Sequence, residues 1–243
     1  MKSSHPAPRF LRWSVLAVML LALGGCATGP DRRDPFENFN RGVSTFNDEL
    51  DAAVLKPVAT AYRDHLPSPA RTAISNVFSN LGDAWSMVNS LAQLKFQRVA
   101  ESLMRVSINT VFGLYGVLDI ASEAGLERHR EDFGQTLGRW GVPPGPYLVL
   151  PALGPSTVRD AAALVIDRRG DPLREVDPAD ARNSLLALRV VETRASLLRA
   201  GRLLDEVSLD RYTFTRDAYL QRRRADIFEG EPTPLPDDMK DER

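Results

Sequence analysis

Residues 34–50 read DPFENFNRGVSTFNDEL. Phe36, Phe39, Val43, Phe46 and Leu50 recur at spacings of 3, 4, 3 and 4, which is the period of one face of an α-helix. Asn38, Asn40, Asn47 and Asp48 fall on the other faces. Asp34, with Pro35 at the first helical position and Glu37 at the third, predicts a helix start closed by a capping box. An apolar stripe of this width needs cover, and an amphipathic helix ordinarily finds it in a protein core.

The same period carries most of the chain. Lys56-Pro57 predicts a break, with a second helical piece to about Arg63 and a turn over His65 to Pro69. Ile74, Val77, Phe78 and Leu81 mark the next helix, and Trp85 to Val106 continues the pattern through two segments. Gly113 and Gly116 loosen residues 114–121. Glu127 to Asp132 is a charged connector, and Asp132 predicts the cap of a short helix running to Trp140. Ser156 restarts a helix to about Arg168, and 178–204 and 209–228 predict two more. Between them, Gly141 to Pro151 holds four prolines and two glycines, which forbid a long helix. No alternating strand pattern is visible. The fold class is therefore mostly α, a single domain of amphipathic helices over 34–228 with one extended Pro/Gly-rich segment.

The ends of the chain are different in kind. Lys2, Arg9 and Arg12 precede an apolar run, Trp13 to Leu23, too short to span a bilayer comfortably. Leu23-Gly24-Gly25-Cys26 then sets small residues before the single cysteine of the chain, the pattern of a lipobox. Residues 1–25 are expected to be a signal peptide, Cys26 to be lipidated, and 26–33 to be a polar tether. Several acyl chains, each CH₂ contributing about 0.8 kcal/mol, anchor stably where one would not. Ala27, in place of an Asp, favours outer-membrane sorting over inner-membrane retention. Residues 229–243, with Pro232, Pro234 and Pro236, are expected to be disordered.

Composition narrows the chemistry. Losing Lys2, Arg9 and Arg12 takes the formal charge from −1 to −4, so no basic excess points to nucleic acid. His65 and His129 stand in separate connectors, with no spacing that suggests zinc. There is no G-x-S-x-G elbow and no phosphate-binding P-loop, and Gly113-x-x-Gly116 is too short for a nucleotide fingerprint. No cofactor is expected, and an enzyme is the weakest class of explanation. Phe-rich helices, with Trp85, Trp140 and Tyr147 at headgroup level, fit contact with a membrane interface. Arg222, Arg223 and Arg224 suit anionic headgroups or a partner, though a solvated helix face is the commoner explanation of such a run.

Three motif blocks, in order across about 34–172, resemble the MlaA/VacJ family. They are Asp34-Pro35-Phe36-Glu37-x-x-Asn40-Arg41 with Phe46-Asn47; then Asn109-Thr110-x-x-Gly113-x-x-Gly116-x-x-Asp119-x-Ala121. The densest runs from Glu131-Asp132-Phe133-Gly134-Gln135-Thr136 through Trp140-Gly141 and Gly145-Pro146-Tyr147 to Arg159-Asp160. The resemblance implies a ring-like helical domain in the inner leaflet of the outer membrane, pierced by an amphipathic pore. It implies association with a trimeric porin. It further implies removal of phospholipid misplaced in the outer leaflet, handed to a soluble periplasmic carrier. On that footing Gly141, Gly145, Pro146 and Tyr147 are expected to form a loop beside the pore. Asn40 and Arg41 are expected to hold the first helix to its neighbours. Leu94 departs from the family pattern, which commonly has glycine there. The rival account is a structural or assembly lipoprotein that braces a porin and moves no lipid.

Overall fold

A computed structural model describes residues 31–228; the expectations for residues 1–25, Cys26 and 229–243 lie outside the described residues. The order is α1 (Glu37–Leu50), a π-helical turn (Asp51–Leu55), α2 (Lys56–His65), α3 (Ser68–Ala92), α4 (Phe96–Val111), α5 (Ile120–Glu123), α6 (Phe133–Arg139), β1 (Tyr147–Leu150), β2 (Gly154–Thr157), α7 (Val158–Arg169), a 3₁₀ turn (Pro172–Glu175), α8 (Ala179–Val207) and α9 (Arg211–Phe228). The domain is mostly α, as expected, with one small sheet that the sequence did not announce.

Several local expectations change. Lys56-Pro57 does not break the helix. The chain passes from α1 into α2 through the π turn with its backbone still in the right-handed helical region. The wider turn accommodates the donor that Pro57 lacks, at the second position of α2. Asp51 in that turn takes both Arg194 Nε and Nη2, at 2.5 and 2.7 Å, which fastens it to α8. The Pro/Gly segment runs extended into a hairpin: β1 pairs antiparallel with β2, Tyr147 opposite Thr157 and Leu150 opposite Gly154. Ser156 therefore lies in β2, and Thr157 caps α7 by accepting the Asp160 N–H at 3.2 Å. Asp132 caps α6 as expected, accepting from Gln135 N at 2.8 Å.

The capping box at Asp34 does not form. Asp34 is fully buried, and its carboxylate accepts Asn40 Nδ2 at 2.8 Å and Tyr212 OH at 2.5 Å. Asn40 also donates to the Tyr147 carbonyl at 3.1 Å and accepts the Val149 N–H at 2.9 Å. Two turns further along α1, Asn47 donates to Leu150 O at 3.0 Å and accepts Ala152 N–H at 2.7 Å. One face of α1 thus satisfies, with two amide side chains, the backbone groups along the open edge of β1.

The largest difference concerns direction. The periodicity is as expected, but many apolar stripes face outward. Phe39 and Phe46 of α1 are about half exposed, as are Val88 and Leu91 of α3, and Phe96, Leu103 and Val111 of α4 are more than half exposed. The faces turned inward are Asn80, Asp83, Ser86 and Asn89 on α3 and Ser102, Arg105 and Asn109 on α4. Among the described residues, buried polar and charged side chains outnumber buried apolar ones. The cluster of buried apolar side chains is small: Tyr147, Val149 and Tyr212, with Val43, Tyr219 and Leu220 against it. A helix pattern records which face is apolar; it does not record whether water or hydrocarbon lies outside.

Neighbouring elements close a circuit. α1 leads into α2, α2 packs on α8, α8 on α3, α3 on α6, α6 on α7, α7 on β1, and β1 returns to α1. No helix among the described residues is long and apolar enough to cross a membrane.

Two stability outcomes follow from these contacts. Asn40→Ala removes the partners of Asp34, Tyr147 O and Val149 N together, and should lower the unfolding free energy by roughly 2–4 kcal/mol in denaturant titration. Leu94 holds a left-handed φ of 60° while 72% exposed. Leu94→Gly should therefore raise stability by about 1 kcal/mol in the same assay.

Candidate functional site

The polar faces of α3 and α4 meet around Arg105, which is fully buried. Its Nε donates to Asp83 Oδ2 at 3.1 Å, its Nη1 to Ser122 Oγ at 3.1 Å and to the Leu126 carbonyl at 2.6 Å, and its Nη2 to Asp119 at 3.0 and 3.2 Å. Asn109 donates to Asp119 at 2.9 Å and accepts the Ala121 N–H at 2.9 Å. Asp119 also caps α5 and accepts from Ser122 Oγ at 2.6 Å and Arg128 Nη2 at 3.1 Å. Burial pushes the Asp119 carboxyl up, but the hydrogen bonds from Ser122 and Asn109 and the charge of Arg128 outweigh it and hold the group at about 2. For the more deeply buried Asp83 the balance reverses: burial wins over Arg128 and Arg105, and its carboxyl lies above the usual value. The tight approach of α3 to the 113–118 turn depends on Gly116, at φ +89°, where a Cβ would meet the Asn80 side chain at 2.8 Å.

A second group lies along the same face of α3. Glu131 accepts Gln93 Nε2 at 2.9 Å and Lys95 Nζ at 3.1 Å and pairs with Arg98, while its N–H donates to Ser86 Oγ at 2.8 Å. Thr136 of α6 donates to Asn89 at 2.9 Å. A third group joins α9 to the centre. Arg223 Nη1 and Nη2 donate to Asp132 at 2.6 and 2.9 Å, and its Nε donates to Asp160 at 3.1 Å. Tyr219 OH donates to Asp160 at 2.8 Å, and the net effect of these partners holds that carboxyl below its usual value despite burial. Of the run Arg222 to Arg224, only Arg222 has the largely solvated side chain expected; Arg223 is a partly buried bridge.

Two cavities open beside these networks. One, about 520 Å³, lies between α3, α8 and the connector, with Ser79, Asp83, Ser86, Asp167, Arg189 and Glu192 among its walls. The other, about 870 Å³, lies between the connector and α9, with Arg98, Gln135, Arg222, Arg223 and Asp226 among its walls. Arg128, Arg130, Glu131 and Asp132 border both. Among the described residues, Tyr62 OH, Ser90 Oγ and Gln93 Oε1 are buried with no hydrogen-bond partner.

The sequence-predicted loop residues are distributed along the stretch after α6. Gly141 and Gly145 are exposed at positive φ, and the Pro146 carbonyl accepts the Val158 N–H at 3.1 Å. The Pro144 carbonyl likewise accepts Arg159 N–H at 3.1 Å, so the segment is stitched to the start of α7. Tyr147 is 1% exposed and stacks edge-on with Tyr212 and Tyr219, each 6.2 Å away. Its role is to anchor the segment from within. Trp140 is 57% exposed and donates to the Ala92 carbonyl, whereas Trp85 donates to Asp167 at 2.8 Å. Asn40 and Arg41 do tie α1 down, the latter through two bonds to Asp210 at 2.7 and 3.2 Å and its guanidinium over the Tyr212 ring. Arg105 and Asp83 were not singled out by sequence, and the Glu127–Asp132 connector reads there only as charged, with Asp132 as a cap, not as part of a polar interior. The available signal was the polar stripe Asn80, Asp83, Ser86, Asn89 at helical spacing, which reads as a solvated face unless the outside is known to be apolar. Among the described residues, no group of three or more His, Cys, Asp or Glu is placed to hold a metal.

Fold and site together define an inverted amphipathic helical protein, with an ion-paired polar interior and apolar stripes on its surface. The comparisons place it more narrowly. The chain belongs to the MlaA lipoprotein family, whose model matches residues 32–226. It is 37% identical to the intermembrane phospholipid transport system lipoprotein MlaA of Escherichia coli (strain K12), over 95% of this chain and 98% of that protein. The protein of the same description from Haemophilus influenzae is 31% identical over 93% and 96%. A solved structure described as the structural basis for maintenance of bacterial outer membrane lipid asymmetry shares 39% identity at a TM-score of 0.69, covering 79% of this chain and 98% of that one.

The interior predicts a specific pH response. Asp119 is held below its unfolded value, so the stability it contributes is complete above about pH 4 and lost as pH falls towards its folded value of about 2. Asp119→Asn should flatten that acid limb by about 2 kcal/mol. Arg105→Leu, which leaves Asp83 and Asp119 inside with Arg128 as their one remaining arginine partner, should cost roughly 3–5 kcal/mol at neutral pH.

Proposed function

We propose that this protein is an outer-membrane lipoprotein that removes misplaced phospholipid from the outer leaflet and passes it to a soluble periplasmic carrier. Its helices sit in the inner leaflet beside a trimeric porin, held there also by acyl chains on Cys26. The observation that carries this is the inversion: apolar faces outward, ion-paired faces inward, cavities lined by both charges. A polar headgroup crossing hydrocarbon loses its hydration at a cost of several kcal/mol. A route walled by Arg, Asp, Ser and Asn replaces that hydration, while acyl chains stay against apolar surface. The closing of helix on helix into a circuit supports a ring around that route. The names carried by the Escherichia coli and Haemophilus influenzae relatives support the phospholipid-transport part of this reading.

No bond is made or broken in this process, so no nucleophile or metal is required of the interior. Transfer proceeds down the gradient of lipid between leaflet and carrier. The segment from Gly141 to Pro146, stitched to α7 and anchored by Tyr147, forms a fixed rim beside the route.

Deletion of the gene should increase phospholipid at the cell surface, measured by a lipase that reaches only the outer leaflet. Wild-type protein should reverse the increase, and Cys26→Ala should not. Unchanged surface phospholipid on deletion would overturn transport and favour a lipoprotein that braces the porin.

A further inference from the structure

Four of the five residues in the Arg128–Asp132 connector have side-chain partners. Arg128 lies 3.4 Å from Asp83 and 3.1 Å from Asp119, and His129 pairs with Glu101. Glu131 is held by Gln93, Lys95 and Arg98, and Asp132 by Arg223. Arg130 stands between them with its guanidinium exposed and without a hydrogen-bond or ion-pair partner among the described residues. Its backbone is nevertheless fixed, because its carbonyl accepts Gln135 Nε2 at 2.9 Å. No packing or pairing role explains the side chain, yet it lines both cavities.

Its surroundings point to an anion. Around the cavity towards α9 the lining arginines 98, 128, 130, 222 and 223 outnumber the lining carboxylates Glu131, Asp132 and Asp226, with Asp83, Asp119 and Asp160 pairing Arg128 and Arg223 from behind the wall. In the cavity towards α8 the carboxylates are in excess: Asp83, Asp167, Asp171 and Glu192 join Glu131 and Asp132 against Arg128, Arg130 and Arg189. The lining is therefore less acidic in the α9 cavity than in the α8 cavity, and Arg130 borders both. Arg128 lies in the same wall, its charge already shared with Asp83 through Nε and with Asp119 through Nη2. A guanidinium fork meets two oxygens of a phosphate at once, and a cluster of like charges is relieved by such a ligand.

We propose that Arg130, supported by Arg128, is a phosphate subsite that holds the phosphodiester of a phospholipid headgroup as it passes from the α3–α8 cavity to the α9 cavity. The proposal rests on the transport function above and adds a binding residue and the headgroup atom it engages. The acyl chains make no contact with this subsite. The side-chain charge and the fork geometry both matter to it.

The full-length protein, purified in a non-ionic detergent, is titrated calorimetrically with dihexanoyl-phosphatidylglycerol, and separately with inorganic phosphate at the same concentrations. Arg130→Gln should weaken lipid binding about tenfold, Arg130→Lys should fall between it and wild type, and Arg199→Gln, on α8 and lining neither cavity, should bind as wild type. Thermal unfolding of Arg130→Gln should match wild type, since no intramolecular partner is lost. Equal lipid binding by wild type and Arg130→Gln would overturn the subsite and leave transport standing. Equally strong binding of inorganic phosphate would also overturn it, by showing a general anion site. Lipid binding that depends on Arg130, in a protein whose deletion leaves surface phospholipid unchanged, would retain the subsite and overturn transport.

Discussion

The guanidinium of Arg105, with no exposure to solvent, joins Asp83, Asp119, Ser122 and the Leu126 carbonyl at one point. Removing two carboxylates and a cation from water costs several kcal/mol per ion, and only near-complete pairing returns it. That constraint shapes the domain. The helices can turn apolar faces outward only if their polar faces find each other inside, residue by residue. Asn109 and Ser122 fill the remaining acceptor positions of Asp119, and the Glu131 carboxylate repeats the arrangement with Gln93, Lys95 and Arg98 while its backbone N–H donates to Ser86.

A polar interior of this kind specifies geometry more sharply than an apolar one. Leucines tolerate a small slide of one helix on another, whereas a fork of two N–H···O bonds does not. Asn40 and Asn47 show the same logic at a sheet edge. Their amides stand in for a third strand, so β1 keeps its backbone groups satisfied without a further strand to pair with. The hairpin then positions the Pro/Gly segment, and the tyrosines 147, 212 and 219 fix it from behind. The two cavities then differ chiefly in the charge of their linings.

Much of this was legible in the chain, for identifiable reasons. The 3-and-4 spacing of Phe36, Phe39, Val43, Phe46 and Leu50 produced a helix where one stands, because periodicity is a property of the backbone and survives any environment. Asp132 capped its helix because the cap bond is local. Asp34, with the same local credentials, did not, because Asn40 and Tyr212 compete for its carboxylate. Tyr147-Leu148-Val149-Leu150 gave no strand signal: four residues are too few to show alternation, and its pairing partner is created by the turn at Ala152.

The sequence by itself determined the helical class, the order of the elements, the extended Pro/Gly interruption and, through three ordered motif blocks, the family. Each is encoded locally, in spacing, caps and residue type. Only the tertiary structure decided which way the stripes face, that Asp83, Arg105 and Asp119 meet, and that Arg130 alone in its connector has no side-chain partner among the described residues. The reason is physical. A helical stripe fixes two faces but not the medium outside them, and a charge is paired or unpaired only once residues distant in the chain have been brought within hydrogen-bonding reach.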